Sequence, residues 1–225
     1  MFPLKRRPQG LEFATCAACH KGTKNMDAVA ALTARSWPNL ETDEERAELQ
    51  SLMGVVLRNV PPVAFELHLG FATDTPVPED LQAGVGNDQD IVVMDFSVRR
   101  EVLAAFGARM GLAMYYSTTG RILGEDGAVW SHVFTNVQNM RGEALPSALD
   151  DALGPALALV QKGLRSEEAF QYAVRQLDDH KGVVSFCAFR QWFAVLAVAY
   201  PRADDFDGLL QHELFRPGFL IGYPL

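Results

Sequence analysis

The sequence predicts an α+β fold: an antiparallel β-meander packed by helices, with a small N-terminal knuckle-plus-helix appendage. Three β-branched and aromatic runs follow one another at residues 169–177, 183–191 and 192–200, a succession that is typical of adjacent antiparallel strands. Apolar residues recur at helical spacing in segments 42–60 and 98–116. A hydrophobic fraction of 48% and a charged fraction of 21% indicate a globular chain.

Helix signals occupy much of the first 120 residues. We expect Asp27 to cap a short helix over residues 27–37. Thr42 followed three residues later by Glu45 forms a capping box that opens a second helix, which the prolines at 61 and 62 stop. The long helix at 98–116 has apolar residues on two sides, so it should be central, with Gly120 as its C-terminal stop.

Strand signals dominate the rest. Residues 91–96 and 128–136 read as strands, whereas a further helix is expected over residues 147–163. Residues 63–89 are rich in proline, glycine and acidic side chains and predict a linking region. We therefore predict two parts: residues 1–62, with the knuckle and two helices, and residues 63–225, an α+β body of unassigned function.

The charge is unevenly distributed. The chain carries a net charge of −8, yet residues 1–25 hold five basic side chains against Glu12 alone, so the remaining residues are strongly acidic. No apolar run reaches the roughly 18 residues of a membrane span. The N-terminus lacks the apolar core of a secretory signal, which predicts a cytoplasmic protein with reduced cysteines and no membrane partner.

The segment FATCAACHKGTKNMD, residues 13–27, carries the strongest chemical signal. Cys16, Cys19 and His20 form a CxxCH sequence. This spacing matches the attachment box of c-type haem, in which two thiols bond the vinyl groups and the histidine is an axial ligand. It equally suits half of a zinc site, since a CxxC turn directs two sulfurs toward one tetrahedral ion. The third cysteine, Cys187, lies in an apolar run and is expected to be a small buried side chain.

The segment CAACHKGTK resembles the C-terminal half of an HNH endonuclease module, and the similarity covers roughly residues 2–36. The resemblance implies a ββα-metal fold in which Cys16 and Cys19 hold structural zinc and His20 holds a catalytic divalent cation such as magnesium. It also implies metal-dependent phosphodiester cleavage with DNA as the partner. The side chains that would face the DNA backbone are Lys5, Arg6, Arg7, Lys21 and Lys24.

The first half of that module should supply a second CxxC and an Asp-His pair. Only fifteen residues precede Cys16, and they contain neither feature. We therefore expect a module that is N-terminally truncated, with no catalytic base assigned and enzymatic activity dependent on the absent half. Two other functions remain open: electron transfer through a c-type haem, and a non-catalytic binding or scaffold protein.

Other polar residues give weaker signals. His132 should share one strand face with Trp130 and Phe134, as an ordinary strand histidine. Four side chains near a helix end and on the meander are candidates for lining a pocket. They are Tyr115, Tyr116, Arg121 and Arg190. The sequence contains no Gly-rich phosphate loop and no GxSxG nucleophile elbow.

Overall fold

The structure, a computed structural model, describes residues 17–35, 42–63, 97–134, 153, 157–158, 160–161, 164–165, 170–177, 181–190, 193–206, 214–218 and 220. The helices are α1 (Ala17–Thr33), α2 (Asp43–Asn59) and α3 (Ser97–Thr119). The strands are β1 (Ala128–Phe134), β2 (Leu157–Ala158), β3 (Val160–Gln161), β4 (Leu164–Arg165), β5 (Phe170–Gln176), β6 (Val183–Phe189) and β7 (Phe193–Tyr200). A 3₁₀ turn follows at Ala203–Asp205.

The main sheet has the order β1-β7-β6-β5-β2, and every neighbouring pair is antiparallel. Strands β5, β6 and β7 form the predicted meander, which is confirmed. The first strand pairs with the last along its whole length, from Ala128 opposite Tyr200 to Phe134 opposite Ala194. Strands β3 and β4 form a separate two-stranded ribbon. The α+β fold class is confirmed.

Helix α3 lies against the sheet at short range. A Cβ added to Gly111 would come within 2.7 Å of the Val129 side chain and 2.9 Å of the Ala197 Cβ. About two turns earlier, the Ser131 hydroxyl donates a 2.6 Å hydrogen bond to the Ala104 carbonyl. The absent side chain therefore lets the helix backbone approach β1 and β7. The two-sided apolar pattern is explained, because α1 packs on another side of α3.

The predicted start of α2 and the predicted end of α3 are confirmed. The Thr42 hydroxyl accepts a hydrogen bond from the Glu45 amide, and the Glu45 carboxylate accepts one from the Thr42 amide, which completes the capping box at α2. Gly120 ends α3 with a φ of 68°, in the left-handed region that favours glycine. Its amide donates to the Tyr116 carbonyl.

Helix α1 is longer than predicted. It begins at Ala17, not at Asp27, so the expected start was wrong by about three helical turns. Alanine and lysine in the added part have high helix propensity. Buried Thr23 and Met26 extend the packed face of the helix beyond the expected cap. Propensity and packing together outweigh the low helix propensity of Gly22 and Asn25.

The helix predicted over residues 147–163 is wrong for its second half. Leu157 pairs with Tyr172 and Ala158 with Gln171, at the edge of the main sheet. Val160 and Gln161 pair with β4. Leucine and alanine favour helix locally, but a proline such as Pro155 lacks the amide that a helix interior needs, and strand β5 offers backbone partners.

One hydrophobic core connects the helices and the sheet. It includes Met26 and Val29 of α1, Val56 of α2, Phe106 of α3 and Phe189 of β6. The division at residue 62 stays a prediction, since residues 64–96, including the expected strand at 91–96, lie outside the described part. No helix within the described ranges is long and apolar enough to cross a membrane.

Candidate functional site

The CxxCH sequence lies at the N-terminal end of α1. The backbone of Cys19 and His20 belongs to the first helical turn, whereas Cys16 precedes the described residues. The side chains of Cys19, His20 and Lys21 are likewise outside the described part. Lys24, one turn further along, is exposed to solvent.

Among the expected DNA-contacting residues, Lys5, Arg6 and Arg7 also lie outside the described ranges. Of the predicted site, the structure therefore describes the backbone of Cys19, His20 and Lys21 and the exposed Lys24.

Contacts in the middle of α1 fix this helix to the rest of the protein. The Arg109 guanidinium of α3 donates a 2.8 Å hydrogen bond to the Asp27 carboxylate, forming an ion pair that is partly exposed. The Asn25 amide nitrogen donates to the Asn59 carbonyl at the end of α2. Met26 and Val29 are fully buried on the inner side. The first turn of α1 thus extends from a firmly packed segment.

A second set of charges marks the opposite end of α1. Arg35, which is almost fully buried, pairs with Glu48 of α2 at 2.7 Å. Glu45, one turn earlier on α2, pairs with Arg190 at 3.7 Å. Arg190 follows strand β6, and its pKa is lowered by burial and by the nearby Arg35 guanidinium. We name these four residues the charge cluster.

The two sets of contacts give the direction of α1. Phe106 of α3 packs against Phe189 and Phe193, beside the β6–β7 turn and the charge cluster. Going from Arg109 back to Phe106 on α3 leads toward the charge cluster, and so does going forward from Asp27 to Arg35 on α1. The two helices therefore run antiparallel. Each extends about ten residues, or about 15 Å, from the Asp27–Arg109 pair toward the other end. The first turn of α1 and the last turn of α3 consequently lie at the same end of the molecule.

A cavity of about 340 Å³ opens at the end of α3, and we name it the α3-end cavity. It is formed where α3, β5 and β7 end and β6 begins. These ends lie together because, in an antiparallel sheet, the C-terminal end of one strand lies beside the N-terminal end of the next. Within the described part of the chain its lining is polar and includes two cationic side chains and no acidic one. The lining residues are Tyr115, Thr118, Thr119, Arg121, Gln176, Lys181 and Pro201.

Two of the four residues proposed from sequence line this cavity. Tyr115 and Arg121 do so, whereas Tyr116 is exposed outside the lining and Arg190 lies in the charge cluster at the other end. Sequence reasoning missed Gln176 and Lys181. The sequence could have indicated them only through their positions at the end of β5 and just before β6. Residues at these two positions lie close together at one sheet edge.

Cys187 is not available as a ligand for a metal at the end of α1. Its side chain is buried between the sheet and α3, within the main core. Burial raises the pKa of the Cys187 thiol from 9.0 to about 12, which favours the neutral thiol, whereas zinc binds the thiolate. The expectation of a small buried side chain is confirmed.

This burial predicts a pH-dependent stability. Because the folded-state pKa is above the unfolded value, the contribution of the protonated thiol is fully present below pH 9 and decreases as pH rises toward 12. Between pH 9 and pH 12, we expect the unfolding free energy of the wild type to decrease with pH more steeply than that of Cys187→Ala. The difference between the two slopes should be about 1.4 kcal/mol per pH unit. Urea unfolding of both proteins at several pH values measures the difference, and parallel curves would contradict it.

His132 has the aromatic neighbours that its strand position predicts. Its ring stacks with Trp130 at a centroid distance of 6.0 Å and meets the Phe134 edge at 4.8 Å. This face of β1 is opposite the one that packs on α3. The histidine is thus part of an aromatic row, and nothing in its described surroundings gives it a catalytic partner.

The donor set at the α1 end fits half of a zinc site. Two thiols two residues apart are suitable ligands, and a helix N-terminus favours the thiolate form. Within the described residues no group of three or more His, Cys, Asp or Glu side chains could hold a metal ion.

The comparisons with known proteins give no relatives: the chain matches no family model, no curated protein and no solved structure. Functional inference consequently depends on the residues of this chain.

Proposed function

We propose that this chain is a metal-binding, nucleic-acid-contacting protein of the HNH endonuclease type. The observation that carries the proposal is the CxxCH sequence, whose last two residues lie in the first turn of a helix anchored in the core. A rigid helix is a suitable carrier for metal ligands, because ligand positions must be held closely. Cys16 and Cys19 would hold structural zinc, and His20 would hold a divalent cation.

The surroundings of this end suit a polyanionic partner. Exposed Lys24 lies on α1, and Arg121 and Lys181 line the α3-end cavity at the same end of the molecule. Phosphate contacts of this kind supply most of the sequence-independent affinity for nucleic acid. A divalent cation held by His20 would stabilise negative charge on a scissile phosphate. The basic side chains of the protein would position the strand.

Elemental analysis tests the metal site. We expect the purified full chain to contain zinc and the Cys16→Ser/Cys19→Ser double variant to lose it, since neither serine replaces a thiolate ligand. Cys187→Ala is the matched control and should keep the wild-type zinc content. Equal metal content in the wild type and the double variant would refute the proposal.

Two further readouts separate the alternative functions. Cleavage of a labelled DNA duplex with added magnesium, lost in His20→Ala, would support a nuclease. A visible spectrum of covalently bound haem, abolished in the double cysteine variant, would instead establish the electron-transfer alternative. A colourless, metal-free protein would leave a binding or scaffold role.

A further inference from the structure

We propose that the α3-end cavity binds a phosphate group of a nucleic-acid strand. This inference rests on the proposed function, because it assigns the cavity a strand that reaches the CxxCH end of α1. A volume of about 340 Å³ is near the lower limit of ligand sites, and it leaves room for one nucleotide-sized group. The proposal is carried by the lining chemistry and by the position of the cavity.

The cationic side chains provide the charge complementarity. Arg121 and Lys181 come from different parts of the chain, the end of α3 and the start of β6, and both face the same space. Among the described residues that line the cavity there is no acidic side chain, although the whole protein has a net charge of −8. Guanidinium and ammonium groups are the side chains that proteins use for phosphate.

Local hydrogen bonds hold Arg121 in place. The Thr119 hydroxyl donates to the Tyr115 carbonyl at 2.8 Å and accepts a bond from the Arg121 amide at 3.1 Å. The loop that carries the arginine is thereby connected to the last turn of α3.

The polar lining completes the site. Thr118 and Gln176 bring a hydroxyl and an amide, which hydrogen-bond phosphate and sugar oxygens. Tyr115, which also lines the cavity, is buried in the main core. This composition favours an oxyanion with attached sugar over an apolar ligand.

Fluorescence anisotropy with a labelled single-stranded oligothymidylate tests the site in the full chain. We expect Arg121→Gln/Lys181→Gln to weaken binding at least about tenfold, which is the usual cost of losing charged hydrogen bonds. The slope of log affinity against log salt should become shallower by about 0.7, since both cations contact the same phosphate and one lost single-strand phosphate contact accounts for about 0.7. Arg100→Gln, an exposed cation near the other end of α3, is the matched control and should retain both values.

Competition identifies the source of the phosphate. Thymidine monophosphate and inorganic phosphate are titrated against the same complex. Displacement that requires a large excess of either compound supports a strand, whereas tight binding of the mononucleotide alone would overturn the strand and indicate a free nucleotide. Unchanged oligonucleotide affinity in the double variant, with an unchanged circular dichroism spectrum, would overturn the cavity proposal.

The outcome is distinguishable from failure of the proposed function. A metal-free wild type whose oligonucleotide binding still depends on Arg121 and Lys181 would refute the HNH-type function and keep the phosphate site. A zinc-containing protein whose oligonucleotide affinity does not change when Arg121 and Lys181 are substituted would refute the phosphate site and keep the HNH-type function.

Discussion

Gly111→Ala should lower the unfolding free energy by about 1–3 kcal/mol, even though alanine is the better helix former. The new methyl carbon would lie 2.7 Å from the Val129 side chain and 2.9 Å from the Ala197 Cβ. Valine can change rotamer, but the Ala197 Cβ moves only with its strand backbone. Helix α3 must therefore shift away from β7. In thermal unfolding, the melting temperature should decrease by about 2–4 °C for each kcal/mol of lost stability in a chain of this size.

Gly54→Ala is the matched control, because Gly54 also lies within a helix and has no atom within 4 Å of an added Cβ. Here only the backbone entropy and propensity terms act, and we expect stabilisation of about 0.5–1 kcal/mol. The same substitution should thus have opposite signs at the two positions. Stabilisation at both would show that the helix–sheet distance is adjustable.

Glu48→Gln should destabilise the protein by about 2–3 kcal/mol, through the charge cluster. Only 3% of the Arg35 side chain is exposed, whereas 35% of the Glu48 side chain is exposed, so the cost is below that of a fully buried pair. The substitution removes the Glu48 carboxylate from the buried Arg35 guanidinium, which lies near Arg190. Chemical unfolding with urea measures the loss.

Arg46→Gln provides the comparison for that experiment. Arg46 pairs with Asp43 at 2.6 Å, but half of the arginine side chain and nearly all of the aspartate are in water. Exposed ion pairs of this kind contribute little, so the unfolding midpoint should hardly change. Equal effects of Glu48→Gln and Arg46→Gln would mean that burial does not determine the strength of the Arg35–Glu48 pair.

Local chemistry was sufficient to predict much of the fold. The capping box at Thr42, the stop at Gly120 and the strands of the meander depend on residues a few positions apart, and all of them are confirmed. The central position of α3 also followed from its two apolar sides. These features agree with the final structure because local preference and tertiary packing favour the same conformation.

Sequence reasoning failed where distant contacts decide the conformation. The segment at 157–161 has helical composition but pairs with β4 and β5. The start of α1 depends on buried Thr23 and Met26, whose neighbours are far along the chain. The order of the strands, with β1 beside β7, likewise could not be read from neighbouring residues.

The residues of the candidate site likewise fall into those that local sequence indicates and those that only the fold brings together. The CxxCH sequence is recognisable from spacing alone, and Tyr115 and Arg121 could be proposed because they flank one helix end. Gln176 and Lys181 join them only because the β5–β6 connection returns to that end. Arg190 was grouped with them by composition, yet strand direction places it at the opposite end, with Glu45.

The pairing of β1 with β7 also has a consequence for biosynthesis. During translation, β1 leaves the ribosome well before its partner β7, which lies more than sixty residues later in the chain. Until then the backbone amides and carbonyls of β1 lack their hydrogen-bond partners on β7, and Trp130 and Phe134 are not yet part of a completed sheet. Unpaired strands of this composition associate readily with other chains. A nascent chain that pauses between β1 and β7 is therefore the form of this protein most in need of a chaperone.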